Sequence, residues 1–182
     1  LWLMRTLLGE EGERYVAEHS WLRSHIVTAR GRGLNGQQPG KRLIAGMGMA
    51  ALGNVVSRGT LPASFQRVVF ASSSAEPPTP LFDEFDTRYI DLSENNVFNA
   101  LMASGAIPYV FEGVYDIEGA GRGAFWDGGI IDYHFDLTRL PEDQVWLYPH
   151  FNSRTTVGWF DKFLPWRAEQ QVSAEQLIMI CP

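Results

Sequence analysis

A single cysteine, Cys181, stands in the whole chain. That excludes a disulfide framework and any multi-cysteine zinc site. The four histidines (His19, His25, His134, His150) are scattered, with no pair at helical ligand spacing. Long hydrophobic runs are missing too. The longest uncharged stretches, 43–57 and 95–111, are interrupted by glycine, asparagine or proline, and both fall short of the ~20 apolar residues of a membrane helix. The chain does not open on a charged segment followed by an apolar one, so no signal peptide is visible. With so little cysteine, this leans the expected location toward the cytoplasm. Positive charge is not in excess: 15 Lys+Arg against 21 Asp+Glu leave a net charge of -6. A nucleic-acid binder relying on bulk attraction to phosphates is therefore disfavoured.

What is present is a core. The 182 residues are 45% hydrophobic and 20% charged, a composition that suits one folded domain and neither a disordered chain nor a coiled coil. Charge is uneven along it. Residues 1–91 hold 10 Lys+Arg and 9 Asp+Glu, whereas 92–182 hold 5 and 12. The ends read as cut. Leu1-Trp2-Leu3-Met4 has the character of a helix already under way, without a capping residue, and Leu177-Ile178-Met179-Ile180-Cys181 is a buried-strand type of run that stops at Pro182. The expectation is a single partial domain over 1–182, part of a longer chain.

Local patterns predict an alternation of strands and helices. Residues 24–30 are β-branched and end in a glycine-rich turn, which reads as a strand; 67–71 and 88–92 read likewise. Residues 41–57, rich in Ala, Leu and Met and apolar nearly all round, predict a helix buried between other elements. Ser93 is placed to cap a helix carrying Val97 and Leu101, with Gly105 suited to a left-handed exit and Pro108 forbidding continuation. Residues 109–117 predict a strand, 118–123 a glycine-rich turn, and Ala124-Phe125-Trp126 the returning partner. Residues 145–148 predict another strand, and 76–80, with three prolines, an extended loop. Such alternation implies an α/β layered fold.

Several residue groups have functional readings to weigh. Gly31-Arg32-Gly33-Leu34-Asn35-Gly36 fits G-x-G-x-x-G, but Gln37-Gln38-Pro39-Gly40 prolongs the loop where a dinucleotide site needs a helix to begin. A plain turn is the better reading. Asp132 and His134, two apart, would share a strand face; an Asp–His pair orienting a loop is favoured over a metal. Trp159, Phe160, Phe163, Trp166 and Phe151 form an aromatic cluster that either covers a core edge or rests on a membrane surface. In Trp126-Asp127-Gly128-Gly129-Ile130, the Asp-Gly step is a hairpin signal. A plain turn is the favoured reading of the residues alone; the functional one is that two glycines allow close approach to the carboxylate, leaving Asp127 free to take a proton from a hydroxyl.

Ala100-Leu101-Met102-Ala103-Ser104-Gly105-Ala106-Ile107-Pro108, followed by Trp126-Asp127-Gly128-Gly129-Ile130-Ile131-Asp132, resembles the patatin-like phospholipases, as more weakly does 148–167. The resemblance implies a three-layer α/β/α sandwich with a mainly parallel central sheet. It implies hydrolysis of lipid acyl esters by a Ser–Asp dyad in which Asp127 is the aspartate and Gly128 and Gly129 support the motif. No metal or cofactor is implied, and the expected partners are a lipid or ester substrate and a transient membrane surface. Two departures stand out. Tyr133-His134-Phe135 replaces the family's usual Asn and Pro. No serine here lies in G-x-S-x-G; Ser104, for one, is flanked by Met102 and Ala106 at the glycine positions. The nucleophile is therefore expected from residues upstream of Leu1, and the 182 residues alone are expected to be inactive. A non-catalytic lipid- or protein-binding domain of the same shape is the alternative.

Overall fold

A computed structural model describes residues 2–72, 84–136, 145–150, 154–167 and 177–181. The Pro-rich loop expected over 76–80 and Phe151 lie outside them. The chain opens with two short helices, α1 (Trp2–Leu8) and α2 (Gly12–Glu18). Strand β1 (His25–Gly31), helix α3 (Lys41–Val56), strands β2 (Phe65–Ala71) and β3 (Thr87–Asp91), helix α4 (Glu94–Ser104), and strands β4 (Val114–Tyr115) and β5 (Ala124–Asp127) follow. Strands β6 (Trp146–Pro149) and β7 (Leu177–Ile180) pair in parallel as a separate two-stranded sheet.

The fold is mixed α/β. Five strands form one sheet in the order β3-β2-β1-β5-β4. Its direction differs from the mainly parallel expectation: β1 runs antiparallel to β2 and to β5, and β4 antiparallel to β5, while β2 and β3 are parallel. The reason lies in the β1–β2 connection. Alternating strand and helix predicts a crossover, which would bring β2 in at the far end of β1. Instead residues 32–64 travel out through α3 and return to where they left. Gly31 faces Phe65 in the register, and Arg32 closes the neck, donating from its backbone N to Ser64 O (2.9 Å) and from Nη1 to Pro62 O (2.6 Å). The unit is a wide hairpin with a helix inserted in its turn.

Alternation along the strands supplies both faces of the sheet. Phe125 of β5, Val68 and Phe70 of β2 and Ile26 of β1 join Val97, Ala100 and Ala103 of α4 in one core. Ala124 and Trp126, Ala29 and Phe65 point the other way and meet Leu43, Met47 and Ala50 of α3. Helix α4 is well marked: its buried residues Asn96, Val97, Ala100 and Ala103 recur at three- and four-residue steps, and Asn96 Oδ1 accepts the Ser93 N–H at 2.9 Å. Its exit is not left-handed, since Gly105 has φ -110.

Three other expectations fail for identifiable reasons. Residues 109–117 form a strand only at Val114–Tyr115, because Tyr109 (φ 70) and Asp116 (φ 52) turn the chain out of extended conformation. Helix α3 is buried on one side only; Ile44, Met49, Leu52, Val55 and Val56 face outward. β7 is also half covered, with Ile178 and Ile180 exposed.

Candidate active site at the end of strand β5

Strand β5 ends at Asp127, whose Cα lies opposite Thr28 of the central strand β1. Its backbone N donates to Ala106 O (3.0 Å), tying the strand end to the segment leaving α4. The chain then enters a single 3₁₀ turn, Gly128–Ile130, which Asp127 caps: Gly129 N donates to Oδ1 at 2.7 Å. The Asp-Gly step is thus no hairpin turn. Asp127 has φ -49, and neither glycine is among the residues of positive φ. The two glycines serve different ends. A Cβ on Gly128 would stand 2.5 Å from Val27 O, so Gly128 lets the turn press against β1. Only Gly129 borders the carboxylate, its Cβ position lying 3.1 Å from Asp127 Oδ1.

Asp127 is half-buried in the wall of a cavity of about 590 Å³. Apolar side chains from three directions line it, among them Val27 of β1, Leu101 of α4 and Trp159. His25, His150 and Lys162 bring nitrogen to the same space. Burial pushes the Asp127 carboxyl above the ordinary carboxylate range, opposed by the Gly129 N–H and the Lys162 ammonium. Oδ2 takes no hydrogen bond among the described residues. Lys162 is steadied over the Tyr133 ring, 3.5 Å from its centroid. Burial also lowers the His25 pKa, with Arg23 adding to the effect, so His25 is a neutral imidazole at pH 7. Ser104 reaches the cavity, but its hydroxyl donates to Leu101 O at 2.9 Å.

Asp132 and His134 do not pair. Asp132 is held by Arg67 of β2 through two bonds of 2.6 Å, from Nε to Oδ2 and from Nη2 to Oδ1, with Arg58 at 3.8 Å. Burial pushes its carboxyl upward, while the Arg67 hydrogen bonds and both guanidiniums pull it back. His134 instead meets Thr156, with Nδ1 2.8 Å from the carbonyl O, and burial drives its pKa down to about 4. Sharing a strand face was the premise for joining them; residues 131–136 form no strand, so the premise is absent. Among the described residues, no three His, Cys, Asp or Glu side chains gather as a metal site.

Arg58 also donates to Ile131 O and stands 3.6 Å from Asp161, which Asn54 of α3 bonds at 2.7 Å. This buried charge cluster lies directly behind the Asp127 turn. The sequence reading missed it, although an arginine inside the apolar strand Phe65–Ala71 was a visible sign that a buried carboxylate had to meet it. The Gly31–Gly36 segment is a packed turn: Asn35 is buried, and its carbonyl accepts the Trp126 indole N–H at 2.8 Å. In the aromatic cluster, Phe160 is buried, whereas Phe163 and Trp166 are 70% and 64% exposed. No described helix is long and apolar enough to cross a membrane. No family model, curated protein or solved structure matches the chain.

Proposed function

We propose that the chain is the aspartate-bearing part of a lipid acyl hydrolase of the Ser–Asp dyad type, as its resemblance to the patatin-like phospholipases implies. A serine supplied by residues upstream of Leu1 attacks the ester carbonyl, and Asp127 takes its proton directly. Backbone N–H groups of that same upstream segment stabilise the oxyanion. Its collapse breaks the ester C–O bond as Asp127 hands its proton to the departing alcohol. Water, losing a proton to Asp127, then attacks the acyl-serine and frees the acid while the proton returns to the serine. The sheet with helices on both faces is read as part of an α/β/α sandwich, despite its antiparallel pairings.

The observation that carries this reading is the state of Asp127. An ordinary aspartate, with a pKa of about 3.9, is a weak base at neutral pH. This one is raised by burial, has Oδ1 fixed by Gly129, and, with no hydrogen bond on Oδ2 among the described residues, stands in the wall of a mainly apolar cavity. A base held in a partly dry pocket beside acyl-sized space is what proton transfer from a hydroxyl requires.

The test is Asp127→Asn in a chain that carries the G-x-S-x-G serine, assayed on a p-nitrophenyl acyl ester and on phospholipid. Loss of about 10²–10⁴-fold in turnover with an unchanged circular dichroism spectrum is expected. Near-wild-type turnover overturns the dyad, and a chain with no hydrolysis in either form points to a binding domain.

A further inference from the structure

A second concavity lies beside the Asp127 cavity, and the hydrolase reading makes no use of it. Helix α3 turns Ile44, Leu52 and Val55 outward, 59%, 71% and 44% exposed. With Tyr109 and Phe163 they wall a groove of about 640 Å³ in which no described residue carries a charge. Positions 44, 48, 52 and 55 follow the three- and four-residue steps of one helix face, and Lys41 stands one turn ahead of Ile44 on it. Ile44, Leu52, Val55, Tyr109 and Phe163 thus form one apolar face that no described residue covers. The groove and the cavity adjoin: Trp159 lines both, and Lys162 of the cavity precedes Phe163 of the groove.

Charge indicates what covers this face. From residue 19 to residue 75 the chain carries Arg23, Arg30, Arg32, Lys41, Arg42, Arg58 and Arg67 and not one Asp or Glu, although its net charge is -6. Arg58 and Arg67 are tied into the buried carboxylates. Arg32, Lys41 and Arg42 are exposed, the last two forming the first turn of α3. Cations at one end of an apolar face, with exposed aromatic rings along its border, match an element that lies in the headgroup layer of an anionic membrane. We propose that the outer face of α3, with Tyr109 and Phe163, docks the protein on an anionic lipid surface. Docked this way, the groove sits in the headgroup layer and the adjoining Asp127 cavity opens beside it.

Flotation of the protein with vesicles tests this without any turnover, so its outcome is separate from that of the hydrolase assignment. Vesicles of phosphatidylcholine and phosphatidylglycerol in equal parts should carry the protein up the gradient, and pure phosphatidylcholine should carry less. Leu52→Glu with Phe163→Glu changes only exposed side chains and should reduce the floated fraction about tenfold, by adding charge to the inserting face. Lys41→Glu with Arg42→Glu should remove the preference for phosphatidylglycerol, and added salt should weaken wild-type binding. Failure of the wild type to float with anionic vesicles overturns the proposal, as does unchanged flotation of the Leu52→Glu, Phe163→Glu protein. A wild-type dimer in sedimentation, broken by those two substitutions, would assign the face to a second copy and overturn it as well.

Discussion

Asp127 and Asp132 lie five positions apart, and burial raises both carboxyls, yet their surroundings are opposite. Asp132 is saturated: two hydrogen bonds from Arg67, a second guanidinium from Arg58, and no exposure of its side chain. Among the described residues, Asp127 has one backbone donor, the Lys162 ammonium acting on it, and a second oxygen without a hydrogen bond, in the wall of a cavity. The first carboxylate holds the loop against β2. The second is left with capacity for a proton or a hydroxyl. Residue type and burial therefore do not distinguish a structural aspartate from a reactive one; the count of donors already on its oxygens does.

Removing the two acids has unequal consequences for stability. Asp132→Ala strands Arg67 in the core, and a broken buried pair typically costs about 3–5 kcal/mol. Urea denaturation should show the full loss, and a change under about 1 kcal/mol would mean that water or Glu84 replaces the missing charge. The glycines sharpen the contrast next. Gly128→Ala drives a Cβ against the Val27 backbone, an overpacking cost of about 1–3 kcal/mol. Gly129→Ala meets side-chain atoms at 3.1 and 3.4 Å, which can shift, so its midpoint in urea should fall less. Equal losses at the two positions would show that the turn is not pinned against β1.

Much of the frame was legible in the sequence because local signals there agreed with tertiary packing. Residues 24–30, 67–71 and 88–92 have β-branched or aromatic character and became β1, β2 and β3; the glycine-rich turn before Phe125 and the helix marked by Ser93, Val97 and Leu101 were equally plain. Strand direction was not legible. It depends on where residues 32–64 bring the chain back, a return closed by contacts of Arg32 with Pro62 and Ser64 far along the sequence. The outward face of α3 was misread for a related reason: an apolar residue has the same identity whether it is covered or bare. At the site, Asp127 could be singled out from its glycines, but the raised carboxyl and Lys162 could not, since both come from segments that only folding brings together.

The smallest expected effect concerns Asp127 itself and runs against the direction of the Asp132 change. Its folded carboxyl titrates above the unfolded value. The folded state therefore prefers the protonated form, and the charged form lowers stability once pH lies above the folded pKa. That penalty fades as pH falls through the folded pKa toward the unfolded one, where both states carry the proton. Asp127→Asn removes it while leaving an oxygen able to accept the Gly129 N–H. At pH 7 the variant should equal or exceed the wild type in urea, by about 1 kcal/mol or less after allowing for solvent screening of a half-buried group. The gap should close as pH drops into the carboxylate range. A variant clearly less stable than wild type at neutral pH would show that the charged cap on the 3₁₀ turn outweighs desolvation. Asp127 would then be a structural residue of the same kind as Asp132.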